Sequence, residues 1–210
     1  MNAPEKSKPR IAVLVSGGGR SLVNLCEKIE AGELDCQVAL VLSDREDIRA
    51  LEHAADRGID TAVVKRKDHA DTETFSQAVF AEIEQRGCEF VVLAGYLKLL
   101  RIPESWLGRA INIHPALLPA FGGAGYYGDR VHQAVLEAGV SETGCTVHYV
   151  TNEYDAGPIL LQRSIEVAPS TEVHDLADRV FEEEKIALPE AVRRHLAGEV
   201  FWRDGRAICR

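Results

Sequence analysis

Ile11-Ala12-Val13-Leu14-Val15-Ser16-Gly17-Gly18-Gly19-Arg20-Ser21 is the stretch whose reading decides the fold. Five consecutive apolar residues form the short continuous run expected of a strand buried on both faces. The glycines end it, and Leu22, Leu25, Cys26 and Ile29 then recur at helical spacing until Gly32 stops the helix. The turn thus lies between a strand and a helix N-terminus. Unpaired backbone N–H groups and the helix dipole favour an anion there. Glycine lets a ligand approach the backbone closely, and Arg20 offers a charge-assisted contact. No Gly-Lys-Ser/Thr follows, so the turn is not a P-loop, and Leu22 occupies the third glycine position of a dinucleotide fingerprint. Asp44, at the end of the second strand, keeps a nicotinamide enzyme as a rival through a ribose contact.

Working outward, the same alternation repeats. Gln37–Leu42, Thr61–Val64, Phe90–Leu93 and Ala110–Ile113 read as further buried strands. Helices are expected over Ile48–Arg57 and Thr74–Arg86, the latter capped by Asp71 or Thr72. Strands separated by helices imply βαβ units and a mainly parallel sheet. The texture then changes: Thr143–Val150 and Pro158–Val167 are neighbouring strands joined by a loop, which implies an antiparallel addition at the sheet edge. Thr171–Leu188 reads as a helix, with Pro189 opening a final one at a position where its missing N–H costs nothing.

The bulk numbers set limits. The 210 residues suit a single domain, with residues 1–9 expected as a flexible N-terminus. A net charge of −9 argues against gripping nucleic acid through overall charge, though a local backbone nest can still hold a phosphate. Five scattered cysteines lack the spacing of a zinc site or redox pair, so reduced thiols, no metal and a cytoplasmic location are expected. The N-terminus lacks a signal peptide's apolar centre, and no run reaches the length of a membrane span.

A second cluster carries the chemistry. Asn112-Ile113-His114-Pro115 ends an apolar strand, at the carboxyl edge where α/β sheets place ligands. Asn112 and His114, two apart on a strand, share one face. An amide and an imidazole together suit a reaction in which negative charge grows on a carbonyl oxygen. Asp155, in the turn-rich segment Thr151–Pro158, reads as a turn aspartate or as a carboxylate for the imidazole. Phe121–Arg130 is glycine-rich and is expected as a mobile loop over a substrate.

Ser16–Ser21, Leu93-Ala94-Gly95-Tyr96, Asn112–Pro119, Gly144–His148 and Asp155-Ala156-Gly157-Pro158 together resemble the folate-dependent formyltransferases, and among them the phosphoribosylglycinamide formyltransferases. The resemblance runs from about residue 10 to residue 190. It implies a Rossmann-like α/β formyltransferase fold with helices on both faces. It also implies transfer of a formyl group from 10-formyltetrahydrofolate to the amine of glycinamide ribonucleotide in purine (IMP) biosynthesis. Carried over by position, Asn112, His114 and Asp155 would be catalytic, and Gly18, Gly19, Arg20 and Ser21 would hold the substrate phosphate. Glu184 and Pro115 would contact the substrate. Leu97, Lys98, Leu99, Leu100, Thr72, Thr151, Asn152, Glu153 and Tyr154 would line the folate site.

The resemblance further implies a protonated His114 that, with Asn112, stabilises a developing oxyanion, held charged by Asp155. Arg20, Ala116, Ala156, Gly122-Gly123 and Thr72 depart from common family residues. Methionyl-tRNA formyltransferase, with its extra RNA-binding domain, and formyltetrahydrofolate hydrolase, with its extra N-terminal domain, are the rivals within the superfamily. A non-catalytic nucleotide binder is the rival outside it. No membrane or nucleic-acid partner is expected, and a homodimer is left open.

Overall fold

The computed structural model describes residues 7–210. Seven strands, β1 (Arg10–Val15), β2 (Gln37–Ser43), β3 (Thr61–Val63), β4 (Phe90–Leu93), β5 (Ala110–His114), β6 (Glu142–Tyr149) and β7 (Ile159–Glu166), form one sheet. Their order is β3-β2-β1-β4-β5-β6-β7. Neighbouring pairs are parallel from β3 through to β5, and β6 and β7 are each paired antiparallel. The expected α/β architecture with its antiparallel addition is therefore what the chain adopts.

Helices α1 (Arg20–Glu30), α2 (Arg49–Asp56), α4 (Asp129–Glu137) and α5 (Val173–Leu196) cover one face, and α3 (Thr72–Gln85) covers the other. The apolar run of β1 serves both layers. Ile11, Val13 and Val15 enter the first core, Ala12 and Leu14 the second, and all five are fully buried. At about 25 cal/mol for each Å² of apolar surface removed from water, such a strand anchors both layers at once. Asp71 caps α3, accepting from the Thr74 amide at 2.8 Å in a reciprocal capping box.

The chain leaves β1 toward β2 and β3, then returns to place β4 on the other side of β1. This reversal makes a crevice at the carboxyl ends of β1 and β4, where open α/β sheets bind ligands.

Three sequence expectations change. Pro189 does not open a new helix, because α5 continues through it to Leu196. Proline cannot supply the N–H that would pair with the carbonyl four residues back, Lys185. The Asn24 side chain of α1 supplies it instead, donating Nδ2–H to the Lys185 carbonyl at 3.0 Å. Helix α4 and a C-terminal hairpin, β8 (Val200–Arg203) with β9 (Arg206–Cys209), were not expected. The N-terminal expectation divides: residues 1–6 lie outside the described residues, while Pro9 and Lys8 are tied down. The Pro9 carbonyl accepts from the Gln37 amide at 2.8 Å, and Lys8 pairs with Asp35 at 3.2 Å.

Cys26, Cys36, Cys88 and Cys145 are buried as small apolar residues, and Cys209 is exposed. Among the described residues no helix is long and apolar enough to cross a membrane.

Candidate active site

The glycine turn sits at the crevice as its sequence requires. Gly19 has φ 78°, and a Cβ there would lie 2.7 Å from that of Ala50, so glycine alone fits. No side chain caps α1, and its first turn carries no acidic residue, so its leading N–H groups remain available to an anion. Arg20 is occupied on α5: it pairs with Asp178 at 2.9 Å and its guanidinium lies 3.8 Å above the Phe181 ring. Asp44 is no ribose ligand. It is buried, accepts the Ser16 hydroxyl, and faces Lys98 and Arg45, each at 3.7 Å. The Ser16 oxygen in turn accepts from the Leu97 amide at 3.0 Å, which ties the loop after β4 to the turn.

At the end of β5, Asn112 and His114 share a face and meet Asp155 from the loop between β6 and β7. Asn112 Nδ2 lies 3.4 Å from Asp155 Oδ1 and 3.1 Å from His148 Nε2. His114 Nδ1 is 3.6 Å from Asp155 Oδ2. Backbone geometry delivers that carboxylate. Asp155 has φ 51°, and two residues on, a Cβ at Gly157 would lie 1.7 Å from the Tyr149 carbonyl oxygen. Only glycine permits the loop to close against β6, where the Tyr149 amide donates to the Pro158 carbonyl at 2.9 Å. The Gly123 amide, from the glycine-rich loop, donates to Asp155 Oδ2 at 2.9 Å.

Hydrogen bonds orient both imidazoles. His114 Nε2 faces the Phe121 carbonyl at 2.8 Å and must carry hydrogen, so its free lone pair is at Nδ1, toward Asp155. His148 Nδ1 faces its neighbour's carbonyl, Tyr149, at 2.9 Å, and its Nε2 lies 3.1 Å from Asn112 Nδ2 and 3.5 Å from Asp155 Oδ1.

Burial pushes the His114 pKa below the usual imidazole value. Asp155 and the Phe121 carbonyl pull it up without prevailing, and His148 adds to the depression. Burial thus disfavours the charged imidazole, while Asp155 acts in the expected sense by favouring it. Burial would raise Asp155, but the His148 hydrogen bond, the His114 charge and the Gly123 amide together hold it below its usual value. Burial raises the Glu184 carboxyl to about 7, with Arg20 opposing. That carboxyl looks into the same cleft from α5.

The formyl transferase family model matches residues 9–192. The chain belongs to the formyl transferase family. It is 36% identical over 203 residues to a chloroplastic phosphoribosylglycinamide formyltransferase from Arabidopsis thaliana, covering 95% of this chain and 70% of that one. A trifunctional purine biosynthetic protein adenosine-3 from Gallus gallus is 36% identical over 207 residues, 98% of this chain and 20% of its own length. The crystal structure of glycinamide ribonucleotide transformylase 1 from Symbiobacterium toebii superimposes with a TM-score of 0.90 at 35% identity. That match covers 100% of this chain and 98% of the other.

In this formyl transferase the expected residues separate into two chambers. The larger, about 510 Å³, is lined by Gly18, Gly19, Arg20, Ser21, Pro115 and Glu184 among others. The smaller, about 50 Å³, is lined by Lys98, Leu99, Leu100, Thr151, Glu153 and neighbours. Tyr96, Asn112, Tyr154 and Asp155 line both. Three of the residues expected at the folate do not line the smaller chamber. Leu97 lines the larger chamber, drawn there by its bond to Ser16. Thr72 opens α3 and lines neither, its carbonyl accepting from Ser76 at 2.7 Å. Asn152 also lines neither, because its Oδ1 is held by the Ile102 amide at 2.7 Å.

Sequence reasoning passed over His132, Phe181 as a cleft residue, and Tyr96 as the wall between chambers. His132 carries a weak signal: Val131 and Val135, four apart, mark a buried helical face beside it.

Proposed function

We infer that this chain transfers the formyl group of 10-formyltetrahydrofolate to the amine of glycinamide ribonucleotide, giving the formylated ribonucleotide for purine synthesis. The observation that carries this reading is the common wall. Asn112 and Asp155 line both the chamber that ends on the glycine turn and the narrow apolar one beside Leu99 and Leu100. A group passed between two substrates needs such a shared face. The glycine turn suits a phosphate, and Leu93, Leu100 and Val150 suit the flat apolar face of a pterin.

The residues then divide the work. The substrate amine attacks the formyl carbon, a C–N bond forms, and negative charge grows on the formyl oxygen. Asn112 donates to that oxygen, giving up its weaker 3.4 Å contact with Asp155 while His148 holds the amide in place. His114 Nδ1, neutral and unprotonated, takes the proton that the attacking amine loses. Protonation makes an imidazolium that faces the Asp155 carboxylate, and the ion pair forms as charge develops. The proton then passes to the folate nitrogen as its bond to the formyl carbon breaks. Gly123 keeps Asp155 aimed throughout. The four buried thiols suit a reducing compartment, and we place the chain in the cytoplasm.

Mixing the purified chain with both substrates tests this. The expected result is formylated ribonucleotide in equal amount to the folate deformylated. Formate released without ribonucleotide would point to a hydrolase, and no turnover of either substrate would remove the reading.

A further inference from the structure

His132 stands on α4, one turn past the glycine-rich loop, and its side chain lines the larger chamber. Only 5% of the residue is exposed, and its Nδ1 has no hydrogen-bond partner among the described residues. Native proteins pair about nine in ten buried polar atoms, so each exception calls for a reason. Arg86 Nε and Thr143 Oγ1 share this state but line neither chamber; Tyr96 Oη shares it too but stands in the wall between both chambers, whereas His132 faces the acceptor's chamber alone. The formyl-transfer mechanism does not use it, since His114 is served by Phe121 and Asp155.

The chemistry of the ring narrows its partner. Burial pushes the His132 pKa down, with Asp129 opposing and His114 assisting, so the ring is neutral. A neutral imidazole has one donor and one acceptor. It is poorly matched to a phosphate or an ammonium and well matched to a hydroxyl, which also gives and takes one hydrogen bond. Position separates the two substrates. His132 shares its chamber with Gly18–Ser21 and Glu184, and is not part of the chamber lined by Leu99, Leu100 and Thr151.

We propose that His132 is a substrate-contacting residue that holds the acceptor ribonucleotide by a ribose hydroxyl, between the phosphate at the glycine turn and the amine at Asn112 and His114. This rests on the formyl-transfer reading above. Rotation about the Cβ–Cγ bond, which is soft in histidine, turns the unpartnered nitrogen toward the chamber. Binding then supplies a hydrogen bond that the ring does not otherwise make. The interaction orients the acceptor and does not take part in proton transfer, so it belongs to KM and not to kcat.

Initial rates on His132→Phe and His132→Asn decide the matter. Phenylalanine keeps the ring and removes both nitrogens; asparagine keeps a donor and an acceptor. In His132→Phe, KM for glycinamide ribonucleotide should rise about tenfold or more, with KM for 10-formyltetrahydrofolate and kcat within about threefold. Its Tm should hold or rise, because no hydrogen bond is broken. His132→Asn should recover part of the loss. An acceptor analogue without ribose hydroxyls should bind His132→Phe and the unsubstituted protein equally well. An unchanged KM for the ribonucleotide overturns the proposal. So does an equal rise in both KM values, a lowered Tm in His132→Phe, or a hydroxyl-free analogue that still distinguishes the two proteins. If the unsubstituted protein transfers no formyl group, the functional reading itself fails; if it does and His132→Phe behaves normally, only the role of His132 fails.

Discussion

The side-chain amide of Asn24 stands in for the backbone N–H that Pro189 does not have. It reaches from α1 to the Lys185 carbonyl inside α5, at 3.0 Å, and so lets one long helix pass through a proline. Asn24→Ala should therefore cost about 1–3 kcal/mol in urea unfolding, since it strands a partly buried carbonyl. In a Pro189→Ala background the helix supplies its own N–H, and the same substitution should cost clearly less. Additive losses in that double-mutant cycle would show that the two positions are independent.

Asn112→Ala and His114→Ala should each lower kcat by on the order of 10²–10³, with circular dichroism unchanged. The loss reflects a missing oxyanion donor in one case and a missing proton acceptor in the other. Near-normal turnover in either variant would remove that residue from the mechanism.

The pH profile tests the protonation state of His114. As the acceptor of a proton it must start neutral, so acid inactivates it. Burial lowers its pKa from the ordinary 6.5, and the acid limb of kcat/KM should fall below pH 6.5. Rates that rise as the pH drops through that limb would mean that the charged form is the active one.

Glu184 predicts a stability effect whose sign depends on pH. Its carboxyl is raised from 4.5 to about 7 by burial. Below pH 4.5 both folded and unfolded chains are protonated there, and the group has no influence. Above pH 7 the folded chain carries the full cost of a buried charge, at most about 3 kcal/mol, and less because the residue still opens on the chamber. Glu184→Gln should raise Tm at pH 8 and leave it unchanged at pH 4.5, while weakening use of the ribonucleotide. Calorimetry at the two pH values checks this.

Arg20 is held by Asp178 and Phe181, so a phosphate at Gly18–Ser21 must compete for it. The pair is well exposed, 57% and 73%, and its influence is correspondingly modest. Asp178→Asn should lower KM for the ribonucleotide a few-fold at low salt, an advantage that high salt removes. A KM indifferent to this substitution would show that Arg20 plays no part in holding the phosphate.

Much of this was legible in the chain. Continuous apolar runs mark β1, β2, β4 and β5, because a strand covered on both faces has no polar side to show. Asn112 and His114 are paired by strand periodicity alone. Asp155 could not be, since the turn that presents it depends on how Gly157 packs against Tyr149, a contact between distant segments. Arg20 and Asn152 have hydrogen-bonding partners that no local pattern reveals. Pro189 misled because its cost is met from α1, far away in the sequence. The β8–β9 hairpin was readable: Asp204-Gly205, with φ 48° and 74°, is a favoured two-residue turn.

The wall shared by the two chambers bears on the order of events. Tyr96, Asn112, Tyr154 and Asp155 face both sides, so an amine in one chamber can meet a formyl carbon in the other without a side chain carrying the group between them. Direct transfer across that wall needs both substrates present together. Initial-velocity plots should intersect, with neither product leaving until both reactants have arrived, and no labelled enzyme should form when the folate is supplied alone.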